Sequence, residues 1–278
     1  MISTARFLPL ALAVCLLSLS ASLRAASETL LRETFDSGVS SAWRTVNAVP
    51  TLVHEASSPP SGLDGNGLRH RRTNRIGTDG LHCVNFAPTT LAPGDSLTLS
   101  FDLRGVSYAR NQGNHLVFGF LQGVGVSPAS PEGATGYAAT LRMDGRDGVR
   151  GRLHTFRALD LSGVSPGELG TLGDEKGETR RGGLPFHLND NNLSDRFRFS
   201  LTVTRLPEGD LRLDAAFLNH SRQRSFGVVR AITLADSQRA GGDAAYTFDG
   251  IAIGFRRAGS EDSVFDLDNI EVTRAPRR

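Results

Sequence analysis

Short runs in which apolar and polar residues alternate recur along most of this chain, each bounded by Gly, Pro, Asp or Asn. Residues 96–104 read SLTLSFDLR, so Leu97, Leu99, Phe101 and Leu103 share one face of an extended strand while Thr98, Ser100, Asp102 and Arg104 share the other. Successive side chains of a strand point to opposite sides, so a period of two places one face against a core and the other in water. Comparable runs occupy residues 115–122, 136–143, 151–156, 196–206, 211–218, 245–256 and 264–273. Helical periodicity is not evident in the chain beyond its N-terminal segment. The pattern predicts an all-β fold of two packed antiparallel sheets. Turn chemistry agrees: Asp144-Gly145, Asp147-Gly148 and Pro207-Glu208-Gly209-Asp210 lie beside these runs and predict hairpins. Asp144 to Gly148 lacks the later glutamate of a calcium loop and reads as a turn.

The chain of 278 residues is long enough to bury one full core, and no composition shift or repeat divides it. Residues 1–26 have the form of an export signal: Arg6, an apolar run from Phe7 to Leu19, then Ala21, Ser22, Ala25 and Ala26. That run is too short to be a transmembrane span, and no later segment reaches the ~20 apolar residues a spanning helix needs. The expectation is a secreted or periplasmic bacterial protein whose residues 27–278 form a single domain. Cys15 falls inside the apolar run, where Val14, Leu16 and Leu17 argue against a lipidated anchor. Its removal leaves Cys83 as the one thiol, read as a small buried apolar side chain, with His82 on the opposite face of the same strand.

The full chain carries 31 basic and 29 acidic residues, and loss of Arg6 and Arg24 with the signal leaves 29 of each. That balance argues against nucleic acid as a partner. Lys176 is the only lysine, a bias that a GC-rich genome explains and that weakens any single arginine as a sign of oxyanion recognition. Two long polar segments, residues 50–79 and 158–194, read as surface loops, the second carrying seven glycines and the run Asn189-Asp190-Asn191-Asn192. Loops of that length in a compact domain commonly border a ligand site.

Near the start, Glu33, Phe35 and Asp36 precede Trp43; at the end, Phe265, Asp266, Asp268, Asn269, Ile270 and Val272 alternate toward the C-terminus. This opening "FD…W" with a closing "F-x-x-D-N-I-x-V" type of strand resembles the concanavalin A-like, laminin G-like jelly rolls of secreted bacterial proteins. The resemblance covers residues 27–275. It implies two curved antiparallel sheets with the first and last strands adjacent, Trp43, Phe35 and Phe265 in the core, and a carbohydrate-binding role. It also implies a structural calcium ion near the paired ends, for which Glu33, Asp36, Asp266 and Asp268 are the available carboxylates; hard oxygen ligands suit that ion.

Motifs for catalysis are sparse. The paired-carboxylate strand of glycosidases on this fold is missing, and Asp266 with Asp268 is the nearest alternation. A polysaccharide lyase would draw on Arg150, Arg152 and His154, which alternate onto one face, together with Tyr137. No G-x-S-x-G elbow or phosphate-cradling loop is present, and His70 and His82, twelve residues apart, match no zinc spacing. Arg69, His70, Arg71, Arg72 and Arg75 form the one local cationic cluster, suited to the carboxylate or sulfate of an acidic glycan. The reading favoured is a non-catalytic polysaccharide-binding β-sandwich. A lyase is the first alternative and an adhesive surface protein the second, the latter disfavoured by the lack of an anchoring segment.

Overall fold

The computed structural model describes residues 26–46, 52–57, 65–72, 80–107, 115–122, 135–142, 151–155, 168–172, 195–221, 224–232, 246–256 and 264–277. Every regular element among them is a strand: β1 (Glu28–Glu33), β2 (Arg44–Val46), β3 (Leu52–Ser57), β4 (Gly67–Arg72), β5 (Gly80–Thr90), β6 (Ser96–Ser107), β7 (His115–Gln122), β8 (Thr135–Arg142), β9 (Gly151–Thr155), β10 (Glu168–Leu172), β11 (Arg196–Arg205), β12 (Leu211–Asn219), β13 (Arg224–Ile232), β14 (Thr247–Arg256) and β15 (Val264–Ala275). One sheet has eight strands in the order β13-β12-β11-β6-β15-β4-β3, with β1 also paired to β15; the other has seven, β10-β9-β8-β7-β14-β5-β2. All pairs are antiparallel, and β1 lies against β15 with Glu33 opposite Ile270. This is the two-sheet jelly-roll sandwich expected, with its terminal strands adjacent.

Alternation in the sequence becomes alternation in burial. Along β11, Phe197, Phe199, Leu201 and Val203 are buried and the residues between them are partly exposed. The inward rows of the two sheets meet in an aromatic layer: Phe118 of the seven-stranded sheet packs 5.2 Å from Phe101 and 5.9 Å from Phe199 of the other, with Phe217 alongside. Phe120, Tyr137 and Phe248 extend this layer. Edge-on and tilted rings of this kind add about 0.5–1.5 kcal/mol each beyond the area they bury. The 207–210 hairpin forms as expected, Gly209 taking a φ of 96° and donating its N–H to Leu206.

Three strands occupy stretches read as loops. β3 and β4 lie within residues 50–79, and β10 lies within 158–194. β3 and β10 are edge strands, paired on one side only, while β4 lies between β15 and β3 and alternates buried Leu68 and His70 with partly exposed Arg69. β5 shows no alternation because both of its faces are covered. Val84 and Phe86 face the sandwich core while Leu81 and Cys83 join Val117, Leu121, Ala138 and Ala252 in a second buried cluster on the far side of the sheet.

Candidate functional site

The closing strand changes phase. Phe265 and Leu267 face the core, and so do Ile270 and Val272, although three positions rather than two separate Leu267 from Ile270. A bulge absorbs the extra residue: pairing with β6 shifts between Asp268 and Glu271, and Asn269 turns into the left-handed region at φ 48°. Asparagine tolerates that conformation better than most residues. The bulge keeps both apolar pairs inside and sends Asp266 and Asp268 to the outer face of the eight-stranded sheet, where Asp268 lies opposite Asp102 of β6.

On that face three carboxylates are buried beneath three arginines. Asp102, Asp266 and Asp268 are 0–1% exposed, whereas the side chains of Arg69, Arg196 and Arg198 are 24–29% exposed. Arg69 grips Asp266 with two parallel bonds of 2.8 and 3.0 Å. Asp102 accepts from Arg196 at 2.6 Å, Arg198 at 3.2 Å and the Asn269 amide at 2.9 Å. Arg198 also donates to Ser100 Oγ and to the Asn269 carbonyl. Asp268 accepts from the Asn269 backbone N–H at 2.6 Å and from its side chain at 3.2 Å. Burial pushes the Asp268 carboxyl up to about 7; the nearby Asp102 and Asp36 charges act in the same direction, while the Asn269 N–H and Arg196 oppose them. Charge-assisted, bidentate contacts between strands make this surface geometrically stiff.

The four carboxylates named for calcium are not one donor set. Asp266 is committed to Arg69. Glu33 accepts the Phe35 N–H at 3.0 Å and the Trp43 indole N–H at 3.4 Å. The Asp36 charge is near enough to raise the Asp268 carboxyl, and Asp36 lies so close to Gly65 (φ 91°) that a Cβ there would collide with its carboxylate. Among the described residues no group of three or more His, Cys, Asp and Glu side chains is arranged to hold a metal ion. Phe35, Trp43 and Phe265 are buried, as expected, with Phe35 and Trp43 in contact at 5.6 Å.

Of the cationic cluster, Arg69 belongs to the network just described. Arg71 and Arg72 lie on β4, where Arg71 pairs with Val264 and Val53; their side chains and Arg75 lie outside what is described. Of the lyase set, Tyr137 packs inward against Phe248. Register places position 154 opposite Ala138 and position 152 opposite Thr140, and the side chains of Arg152 and His154 lie outside what is described. Tyr246 is bound elsewhere, donating to the Gly209 carbonyl. Arg150, Tyr108, the export segment 1–25 and the turn at residues 144–148 lie outside the described residues. Cys83 is buried and its thiol is pushed up to about 12 by that burial, with Arg44 opposing weakly. It is no nucleophile at neutral pH.

Sequence spacing also missed a pair. His70 of β4 and His82 of β5 belong to different sheets yet meet in the interior, His70 Nδ1 lying 3.0 Å from His82 Nε2. The signal was present as inward phase: His70 follows Leu68 by two, and His82 precedes Val84 by two.

No protein-family model matches this chain, and no curated protein matches it. Solved structures with a similar outline include lectin I from Ulex europaeus in complex with the methyl glycoside of α-L-fucose, 12% identical with a TM-score of 0.44 over 90% of this chain and 98% of that one. A Lotus tetragonolobus seed lectin is 10% identical with a TM-score of 0.45, covering 91% of this chain and 100% of that one. The potassium-bound carbohydrate recognition domain of Emp46p is 12% identical with a TM-score of 0.44, covering 90% and 97%.

Proposed function

We propose that this is a secreted or periplasmic, non-catalytic protein that binds an extracellular or cell-wall polysaccharide bearing acidic groups on the outer face of its eight-stranded sheet. One observation carries the reading: partly exposed Arg69, Arg196 and Arg198 stand over buried carboxylates, with Ser100 and Asn269 between them, all held on paired strands. Such a surface offers fixed donors to a uronate carboxylate and alternating donors and acceptors to sugar hydroxyls. Because its charges are already oriented by one another, little side-chain freedom is lost on binding.

The test is a glycan array on residues 27–278, with and without a calcium chelator, beside an ultraviolet assay for unsaturated uronate. Binding to acidic glycans without new absorbance is expected, and Arg198→Ala is expected to weaken it at least tenfold, about 1.4 kcal/mol. Absorbance gain, or no binding to any glycan, overturns the reading. Loss of binding on chelation would give calcium a part, with Asp36 and Asp268 the carboxylates available to it.

A further inference from the structure

The histidine pair between the sheets is the feature that the binding face does not use. His70 of β4 and His82 of β5 are 2% and 0% exposed. Their rings cross at 84° with centroids 5.0 Å apart, and His70 Nδ1 lies 3.0 Å from His82 Nε2. A neutral imidazole has one N–H and one lone pair, so at that separation one ring donates and the other accepts. One added proton leaves this bond intact, because the ring that stays neutral still turns a lone pair toward its partner. A second does not. With both rings protonated, N–H faces N–H, and two cations stand in an interior where like charges repel far more strongly than in water. This holds whatever the outer nitrogens bond.

The neighbouring strands bring their own side chains. Phe265 of β15 lies opposite His70, and Ile253 of β14 and Thr45 of β2 lie opposite His82. The charged residues next to these belong to the outward rows: Arg69 and Asp266 bind each other, and Arg44 lies opposite Cys83 with its guanidinium on Asn85. Glu33 of β1, a strand that also approaches β5, is engaged by the Phe35 N–H and the Trp43 indole. On β3 the residue opposite His70 is His54, a further titratable group whose side chain lies outside what is described.

We propose that His70 and His82 form an acid-sensitive latch between the two sheets, closed while one lone pair remains between the rings and released when both rings are protonated. β4 belongs to the eight-stranded sheet and β5 to the seven-stranded one, so driving the rings apart parts the sheets at this point. An unfolded chain has no such limit, and both of its histidines charge near pH ~6.5. Below that pH the unfolded state binds at least one proton more than the latched state. Stability therefore falls as pH falls, each pH unit raising the unfolding constant about tenfold per proton of difference. The latch is independent of what the outer face binds, although β4 also carries Arg69 there.

The experiment uses the full chain with chelator present. Nitrogen-15 spectra of the wild type at neutral pH are expected to show coupling across one hydrogen bond between His70 Nδ1 and His82 Nε2, with His54 assigned separately. On acidification at least one of the two rings is expected to stay neutral well below ~6.5 for as long as the protein is folded. These readouts need no variant to fold. Chemical denaturation at a series of pH values supplies the second arm, with His82→Gln, whose amide can still bond His70 Nδ1 but which removes one titrating ring. The ratio of wild-type to variant unfolding constants is expected to rise about tenfold per pH unit below ~6, the carboxylates common to both chains cancelling. Two rings that both charge near ~6.5 in the folded protein overturn the latch, as does a ratio that does not change with pH. If His82→Gln fails to fold, the wild-type spectra alone decide. None of these outcomes depends on glycan binding, which is scored by the array.

Discussion

At Asn269 a single residue decides what faces solvent. Its φ of 48° lets Ile270 and Val272 return to the core after Leu267 while Asp268 stays outside. Asn269→Gly preserves the bulge, whereas Asn269→Val is expected to cost about 1–2 kcal/mol in urea unfolding through left-handed strain alone. Phe35 takes the same region at φ 57° without asparagine's tolerance; its full burial, its contact with Trp43 and the Glu33 bond to its N–H offset the strain. Asp268 carries a signed pH effect. Its folded pKa of about 7 exceeds the unfolded value of ~3.9. Folded protein therefore holds the extra proton between those values, and stability falls as pH rises from about 4 to 7. Asp268→Asn is expected to flatten that part of a Tm-versus-pH curve recorded with chelator present. Cys83, with a thiol near 12, is expected to resist iodoacetamide at pH 8 in the native state and to label fully in denaturant.

Strands differ in how plainly they announce themselves. β11 and β12 pack on one face only, so their burial follows their sequence residue by residue, whereas β6 breaks the alternation only at Asp102, covered by Arg196 and Arg198. β5 packs on both faces and loses its alternation, and β3, at an edge, reads LVHEAS with its apolar residues adjacent rather than alternating. β7 is tied to the opposite sheet through Phe118, which packs against Phe101, Phe199 and Phe217 across the sandwich. Phe118→Ala is expected to lower unfolding free energy by about 3–5 kcal/mol, measured by chemical denaturation, because rings from two stiff sheets cannot collapse into the space left. The 92–95 turn is pinned differently. Burial alone would raise the Asp95 carboxyl, but bonds from Arg274 and from the N–H groups of Ala92 and Arg277 outweigh it and hold it below the ordinary range. Its folded pKa lies under the unfolded one, so its stabilisation is full above ~4 and is lost as pH falls further.

Across the whole molecule these two carboxylates pull in opposite directions. Their combined contribution is expected to be greatest near pH ~4, the Asp268 part falling between about 4 and 7 while the folded carboxyl still holds its proton, and the Asp95 part falling below ~4, and Tm profiles from about pH 2 to 8 of Asp268→Asn and Asp95→Asn against wild type check it. The terminal strands close the same sheet: β1 pairs with residues 270–274 of β15 while β4 pairs with residues 264–267. The bulge at Asp268 sits where these two partners hand over, which is why the outer-face network gathers there.

The amino-acid sequence by itself determined the fold class, eight of the strands, the 207–210 hairpin, the buried Phe35, Trp43 and Phe265, and the inert character of Cys83. All of these follow from a period of two and from local turn preference, which act over a few residues. The tertiary structure alone decided that Asp266 answers Arg69, 197 residues away, that Asp102 sits beneath Arg196 and Arg198, and that His70 meets His82. Those juxtapositions depend on strand order and register, which are set by how fifteen strands share two cores and not by any single stretch of chain.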